Sequence, residues 1–307
     1  MLKQVQHDEN DFYLNCSFLI ANCSFDIQKK FLFLRFINCF AKIYYMIGRL
    51  LGQIGRIFLS LTETIGSSAI MFKSVLFWAL RSKPEFDEIS KQSVKIGVDS
   101  FVVTALTSFF TGMVLALQMG QTTRSLFNEP LYVGTIVSFA LVKELGPVLT
   151  AIVVAGRAGA VVTAEIGTMK VTEQIDALYT LGTNPSRYLL VPRFVAFLLT
   201  LPILVIFADF IGIAGGCLVG SSQLSIPPTQ YFDDITASLR FKDVLHGYVK
   251  TYFFAFMIAM VSCYKGMKTK GGAEGVGKST TEAVVVSMVL VLVLDYFVSS
   301  MLVAVGL

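Results

Sequence analysis

Long apolar runs separated by short polar ones dominate the chain from residue 97 onward. Five stand out, at about 97–118, 131–156, 194–220, 246–264 and 283–304. Each approaches the ~20 residues that a helix needs to cross a hydrocarbon core about 30 Å thick, so they predict five transmembrane helices. Transmembrane β-strands would be ~10 residues long with alternating polarity, and no such pattern is present. Upstream, Ile47, Leu50, Leu51, Ile54, Ile57, Phe58 and Leu61 recur at helical spacing, with Arg49, Gln53 and Arg56 elsewhere on the wheel. That pattern predicts an amphipathic helix lying in the membrane interface. Residues 63–80 (ETIGSSAIMFKSVLFWAL) are apolar enough to enter the bilayer, but Glu63 and Lys73 fit a re-entrant helix as well as a spanning one. The predicted fold class is an all-α integral membrane protein.

Composition agrees. The 307 residues are 54% hydrophobic and 15% charged, with mean hydropathy +0.69, whereas a soluble domain is roughly a quarter charged. Residues 1–45 start polar and acidic, then offer two broken apolar stretches; they fit a peripheral helix or sequence ahead of a start at Met46, and they lack the basic opening of a secretory signal. Residues 46–307 read as the main module. The cysteines Cys16, Cys23, Cys39, Cys217 and Cys263 show no C-x-x-C spacing, and only His7 and His246 could join them, so neither a metal site nor a disulfide framework is expected. A net charge of +4 gives no support to nucleic-acid binding.

The basic residues act instead as topology signals. Arg81, Lys83, Lys91 and Lys95 precede the first span, and the next loop holds only Arg124. Arg157, Lys170, Arg187 and Arg193 follow, then Arg240 and Lys242, then Lys265, Lys268, Lys270 and Lys278. Basic content alternates high and low, which places residues 157–193 and 265–282 in the cytoplasm and the C-terminus on the far side.

Residues 272–279 spell G-x-x-x-x-G-K-S, the phosphate-cradling pattern of nucleotide hydrolases, and VLVLVLD ending at Asp295 imitates a Mg²⁺-binding strand. The context is wrong for either. A phosphate loop joins a short strand to a helix, but here two long apolar helices flank it. We expect a Gly-rich cytoplasmic turn, with Ser279, Thr280 and Thr281 available to cap the last helix.

Charges within spans cost ~2.5–3.5 kcal/mol even on insertion scales, so each is a candidate for function. Asp99 lies near a span end, where simple solvation suffices. Lys143 and Glu144 fall mid-span, as does Asp295, and Asp209 lies within the third span. Adjacent helical residues point ~100° apart, so Lys143 and Glu144 must seek partners on other helices. A buried network of Lys143, Glu144 and Asp295 is the expectation. Gly146 and Pro147 should loosen or kink their helix, because proline removes a backbone donor and clashes one turn back. Gly212, Gly216 and Gly220 form two G-x-x-x-G steps suited to close helix packing.

The segment 156–193 mixes helix formers and acids with Gly182, Asn184 and Pro185, predicting a short solvent-facing helix that ends near residue 181. Such a helix suits docking of a cytoplasmic partner.

The string KELGPVLTAIVVAGRAGAVVTAEIGTMKVTEQIDAL, with KPEF at 83–86, GMVLALQ at 112–118, PRF at 192–194 and GVGKSTTEAVVVS at 275–287, resembles the MlaE (YrbE-like) family of ABC transporter permeases. The similarity covers residues ~46–307. Members of that family usually carry Arg before ELGP; Lys143 keeps the charge and loses the bidentate fork. The resemblance implies a homodimeric inner-membrane permease moving phospholipid between the membranes of a double-membraned cell. It also implies a separate cytoplasmic ATPase that binds ATP and Mg²⁺, no cofactor on this chain, and an MCE-domain lipid-binding protein on the far side. Glu165, Gly167, Glu173 and Gln174 would couple to the ATPase, while Met113, Leu115 and Leu117 would line the lipid. A secondary transporter driven by an ion gradient is the alternative, with the buried acids as ion sites, but internal repeats are not evident. An intramembrane enzyme lacks support, since neither H-E-x-x-H nor G-x-S-x-G occurs.

Overall fold

The computed structural model describes residues 62–79, 85–127 and 132–306, together with Gly55, Leu59 and Arg81. The 1–45 extension and most of the amphipathic stretch from Met46 lie outside the described residues. The chain divides into two compact units, Met1–Ser67 and Ser68–Leu307. In the first, residues 62–67 are helical, and the Ser67 hydroxyl donates to the Glu63 carbonyl at 2.6 Å.

Among its described residues the second unit consists of helices joined by short turns, with no strand. Residues 68–79 form α1, which buries Val75 and sets Phe72 against Phe194 and Phe256, ring centroids 6.2 and 4.8 Å away. Five long helices follow: α2 (Phe86–Leu126), α3 (Val133–Val171), α5 (Ser186–Gln223), α7 (Phe241–Met267) and α8 (Gly272–Val305). All five are long and apolar enough to cross a membrane, and each overlaps one of the expected spans. Short helices α4 (Gln174–Thr180) and α6 (Pro228–Ser238) sit on the connections.

The apolar interior has two parts. One joins α1, α3, α5 and α7 through Val154, Ile166, Phe197, Leu201 and Phe254. The other joins the far ends of α2, α3 and α5 to α6 through Ala116, Val137, Leu141, Val219 and Tyr231. Met113, Leu115 and Leu117 are partly buried against this second part. Lys143 and Glu144 fall between Leu141 of one core and Val148 of the other, so the charges lie at the seam.

Small residues permit the tight approaches. A Cβ at Gly112 of α2 would overlap the Gly212 carbonyl of α5, so these helices meet backbone to backbone. Gly216 and Gly220 serve a different neighbour: the Tyr231 ring of α6 fills the space they leave, its hydroxyl 2.6 Å from where a Gly216 Cβ would stand.

Two local expectations need correction. The stretch 272–279 is not a turn but the opening of α8, which starts after Gly271 at φ 91°. Ser279, Thr280 and Thr281 lie well inside that helix rather than capping it. Thr280 and Thr281 hydroxyls donate back to the carbonyls of Val276 and Gly277 at 2.7 and 3.1 Å. Glycine takes the left-handed start freely, which leaves the hydroxyls their own preceding turn. Likewise the second long helix does not end near residue 156, where the predicted span stops, since α3 continues to Val171 before α4 begins.

Candidate functional site

Proline 147 sets up the site. It has no N–H to offer the Lys143 carbonyl one turn earlier, and its ring crowds that position. The helix accommodates this within α3 by a wider π-turn over Leu141–Leu145, which carries both Lys143 and Glu144. Such turns concentrate at functional sites. The expected disturbance at Gly146 and Pro147 is therefore one extra residue in a turn of a continuous helix.

Helix α7 supplies what α3 lacks. Asp243, Gly247 and Lys250 follow at i, i+4 and i+7, one face of a helix. Gly247 has no side chain to keep α7 off the Val142 carbonyl, which a Cβ there would strike. At that close approach the Lys250 ammonium reaches the Lys143 carbonyl at 3.1 Å and Glu144 Oε2 at 2.6 Å. Asp295 Oδ1 of α8 is 3.1 Å from the same nitrogen, an ion contact without hydrogen-bond alignment. The Ser299 hydroxyl donates to the Asp295 carbonyl at 2.6 Å and lies 3.5 Å from Glu144 Oε1.

Lys250 is wholly buried, whereas the Glu144 and Asp295 side chains keep 45% and 23% of their surface exposed. The cluster therefore has a fixed, desolvated cation at its root and two carboxylates open on one side. One ammonium group thus faces two carboxyl groups inside the span region. Removing Lys250 would strand both acids, which is why breaking such a pair is so costly.

Lys143 does not join that cluster. Its ammonium pairs with Asp243 at 2.6 Å and lies 5.3 Å from the centroid of the Phe139 ring. The structure thus brings Glu144 and Asp295 together and sends Lys143 to a second pair, both pairs reaching α7. Sequence reading missed Lys250 and Asp243. Lys250 sits four residues into an apolar run, and its i, i+4, i+7 relation to Gly247 and Asp243 was the available signal. Asp209 faces Gly146, and its Oδ1 is buried with no hydrogen-bond partner among the described residues. Asp99 is half exposed, 3.9 Å from Arg157.

At the other end of α3 the chain turns sharply into the short helix α4. Thr172 and Glu173 close α3, and Glu173 takes a left-handed conformation at φ 60° to redirect the chain into α4. Glu173 and Gln174 are exposed, Ile175 is buried as the anchor, and Lys170 clamps Asp176 at 2.8 and 3.0 Å. Gly182 ends α4 at φ 72°: its N–H bonds the Tyr179 carbonyl, and Thr183 N–H bonds Leu178, both at 3.0 Å. This reciprocal pair is the Schellman arrangement, and it fixes a helix of only seven residues. Tyr179 and Leu181 stand exposed on it. Gly167 is buried, with Thr269 Oγ1 2.9 Å from where its Cβ would be. Glu165 faces inward, onto Lys95 and Arg193.

A polytopic helical bundle with charges at its seam and a rigid exposed helix at one end has the architecture of a membrane permease. The sequence pattern of the family Permease MlaE matches residues 89–301. A probable ABC transporter permease protein of Rickettsia typhi is 44% identical over 255 residues, covering 80% of this chain and 98% of the relative. Another of the same description, from Rickettsia bellii, is 41% identical over 256 residues, covering 83% and 98%. The intermembrane phospholipid transport system permease protein MlaE of Haemophilus influenzae is 34% identical over 266 residues, covering 85% and 100%. The chain belongs to the MlaE permease family.

Proposed function

We propose that this chain is the membrane-spanning permease subunit of an ATP-driven transporter that moves phospholipid between the inner and outer membranes. The observation that carries this reading is α4: a short exposed helix, capped at its end and anchored by Ile175, fits a surface on which a separate ATPase docks. The name of the Haemophilus influenzae relative supports the cargo. Two copies of the chain work together in the inner membrane, the basic loops keep α4 in the cytoplasm, and the C-terminus lies on the periplasmic side. An MCE-domain protein exchanges lipid there. ATP and Mg²⁺ belong to the ATPase, and Met113, Leu115 and Leu117 contribute to the apolar lining of the path.

The test is reconstitution of the full chain with its ATPase in proteoliposomes, following transfer of labelled phospholipid to an acceptor. ATP-dependent transfer supports the reading. Transfer by the chain alone, driven by an ion gradient, would replace it with the secondary-transporter alternative, in which Glu144 and Asp295 serve as the ion site.

A further inference from the structure

A second ionic group lies behind the docking helix. Glu165 sits on α3, six residues before that helix ends at Val171. One carboxylate oxygen pairs with Lys95 of α2, and the other lies 3.2 Å from Arg193 Nη2 of α5. Arg193 is 4% exposed; its Nη1 donates to the Leu189 carbonyl at 3.0 Å, and its Nε meets no acceptor among the described residues. Glu165 is therefore the paired counter-ion of a buried guanidinium and also the tie between three helices. Two turns earlier on α3, Arg157 reaches Ser100 and Asp99 of α2 at 3.5 and 3.9 Å.

Each partner stands on or beside a π-turn. Lys95 lies in Val94–Val98, Arg157 in Ala155–Gly159, and Leu189, which receives Arg193, in Ser186–Leu190. A turn holding one residue too many is a place where a helix can shift register without unfolding. Three such turns therefore lie on the three helices that Glu165 ties together.

We propose that Glu165 is a positioning residue that carries movement of α4 into α2 and α5, and that it is not itself a docking contact. When the docking helix is displaced, the shared carboxylate moves with the end of α3. Lys95 and Arg193 must then follow or lose their counter-ion, and for the buried Arg193 that loss is the costlier outcome. This inference rests on the reading that an ATPase docks on α4.

The experiment uses the full chain with its ATPase and the variants Glu165→Gln, Lys95→Met, their combination, and Lys95→Arg. The expected result is wild-type recovery of the ATPase in every case, with lipid moved per ATP hydrolysed falling about five-fold or more in Glu165→Gln and Lys95→Met. The combination should be no worse than Glu165→Gln alone, and Lys95→Arg should stay near wild type. Loss of ATPase binding in Glu165→Gln would make it a docking contact and overturn the proposal, as would an unchanged ratio. Spin labels at Val102 of α2 and Tyr252 of α7 give a readout free of cargo. Their nucleotide-driven change in separation should vanish in Glu165→Gln, and persistence of the change overturns the relay. If phospholipid is the wrong cargo, the wild-type transfer assay fails while the label distances still decide the relay.

Discussion

The ammonium nitrogen of Lys250 donates to the main-chain carbonyl of Lys143 across 3.1 Å, linking α7 to the one carbonyl of α3 that Pro147 cannot serve. A proline and a lysine 103 positions apart in sequence thus solve each other's problem: one frees an acceptor within the span region, the other needs acceptors there. Glu144 completes the same cation's shell at 2.6 Å.

That arrangement predicts an asymmetric rescue. Lys250→Met leaves two carboxylates facing each other without a cation and should destabilise the detergent-purified chain by ~3–5 kcal/mol, the cost of breaking a buried pair. Adding Glu144→Gln and Asp295→Asn should recover a good part of the loss. Lys143→Met should rescue nothing in a Glu144→Gln background, because Lys143 belongs to Asp243. Thermal unfolding of the series checks this, and rescue by Lys143→Met would return Lys143 to the cluster.

Docking on α4 is tested at its exposed start. Glu173 carries a left-handed backbone that costs roughly 1–2 kcal/mol in a residue with a Cβ, so Glu173→Gly should leave the fold intact or stabilise it. Glu173→Lys with Gln174→Lys should instead weaken ATPase binding, since new positive charge alters a contact without touching the spans. Co-purification yield is the measurement, and full yield from the lysine pair would remove α4 from the interface.

The phosphate-loop lookalike gives a control. Gly277 lies within α8 with nothing within 4 Å of an added Cβ, so Gly277→Ala should stabilise the helix by up to ~1 kcal/mol. Together with Lys278→Ala it should leave transport within a few-fold of wild type. Nucleotide binding by the isolated chain, abolished by these changes, would contradict this.

Packing predicts the opposite sign at Gly112. An added methyl there meets the Gly212 carbonyl, a main-chain atom that cannot turn aside, so Gly112→Ala should cost ~1–3 kcal/mol as an overpacked contact. A melting temperature equal to wild type would mean that α2 and α5 separate more easily than their backbones suggest.

Sequence by itself determined the five long helices, because each must satisfy its backbone internally in hydrocarbon and so announces itself by length and apolarity. It also marked Glu144 and Asp295, since charges are conspicuous in such runs, and the end of α4, since Gly182 is a stop signal that acts locally. What it could not set was partnership. Whether Lys143 or Lys250 neutralises Glu144 depends on how closely α7 approaches α3, and that is decided by Gly247 lying against the Val142 carbonyl. Whether Glu165 faces a partner protein or the bundle depends on Lys95 and Arg193 arriving from two other helices. These are contacts between residues far apart along the chain, chosen by shape and desolvation together, so only the tertiary structure could decide them.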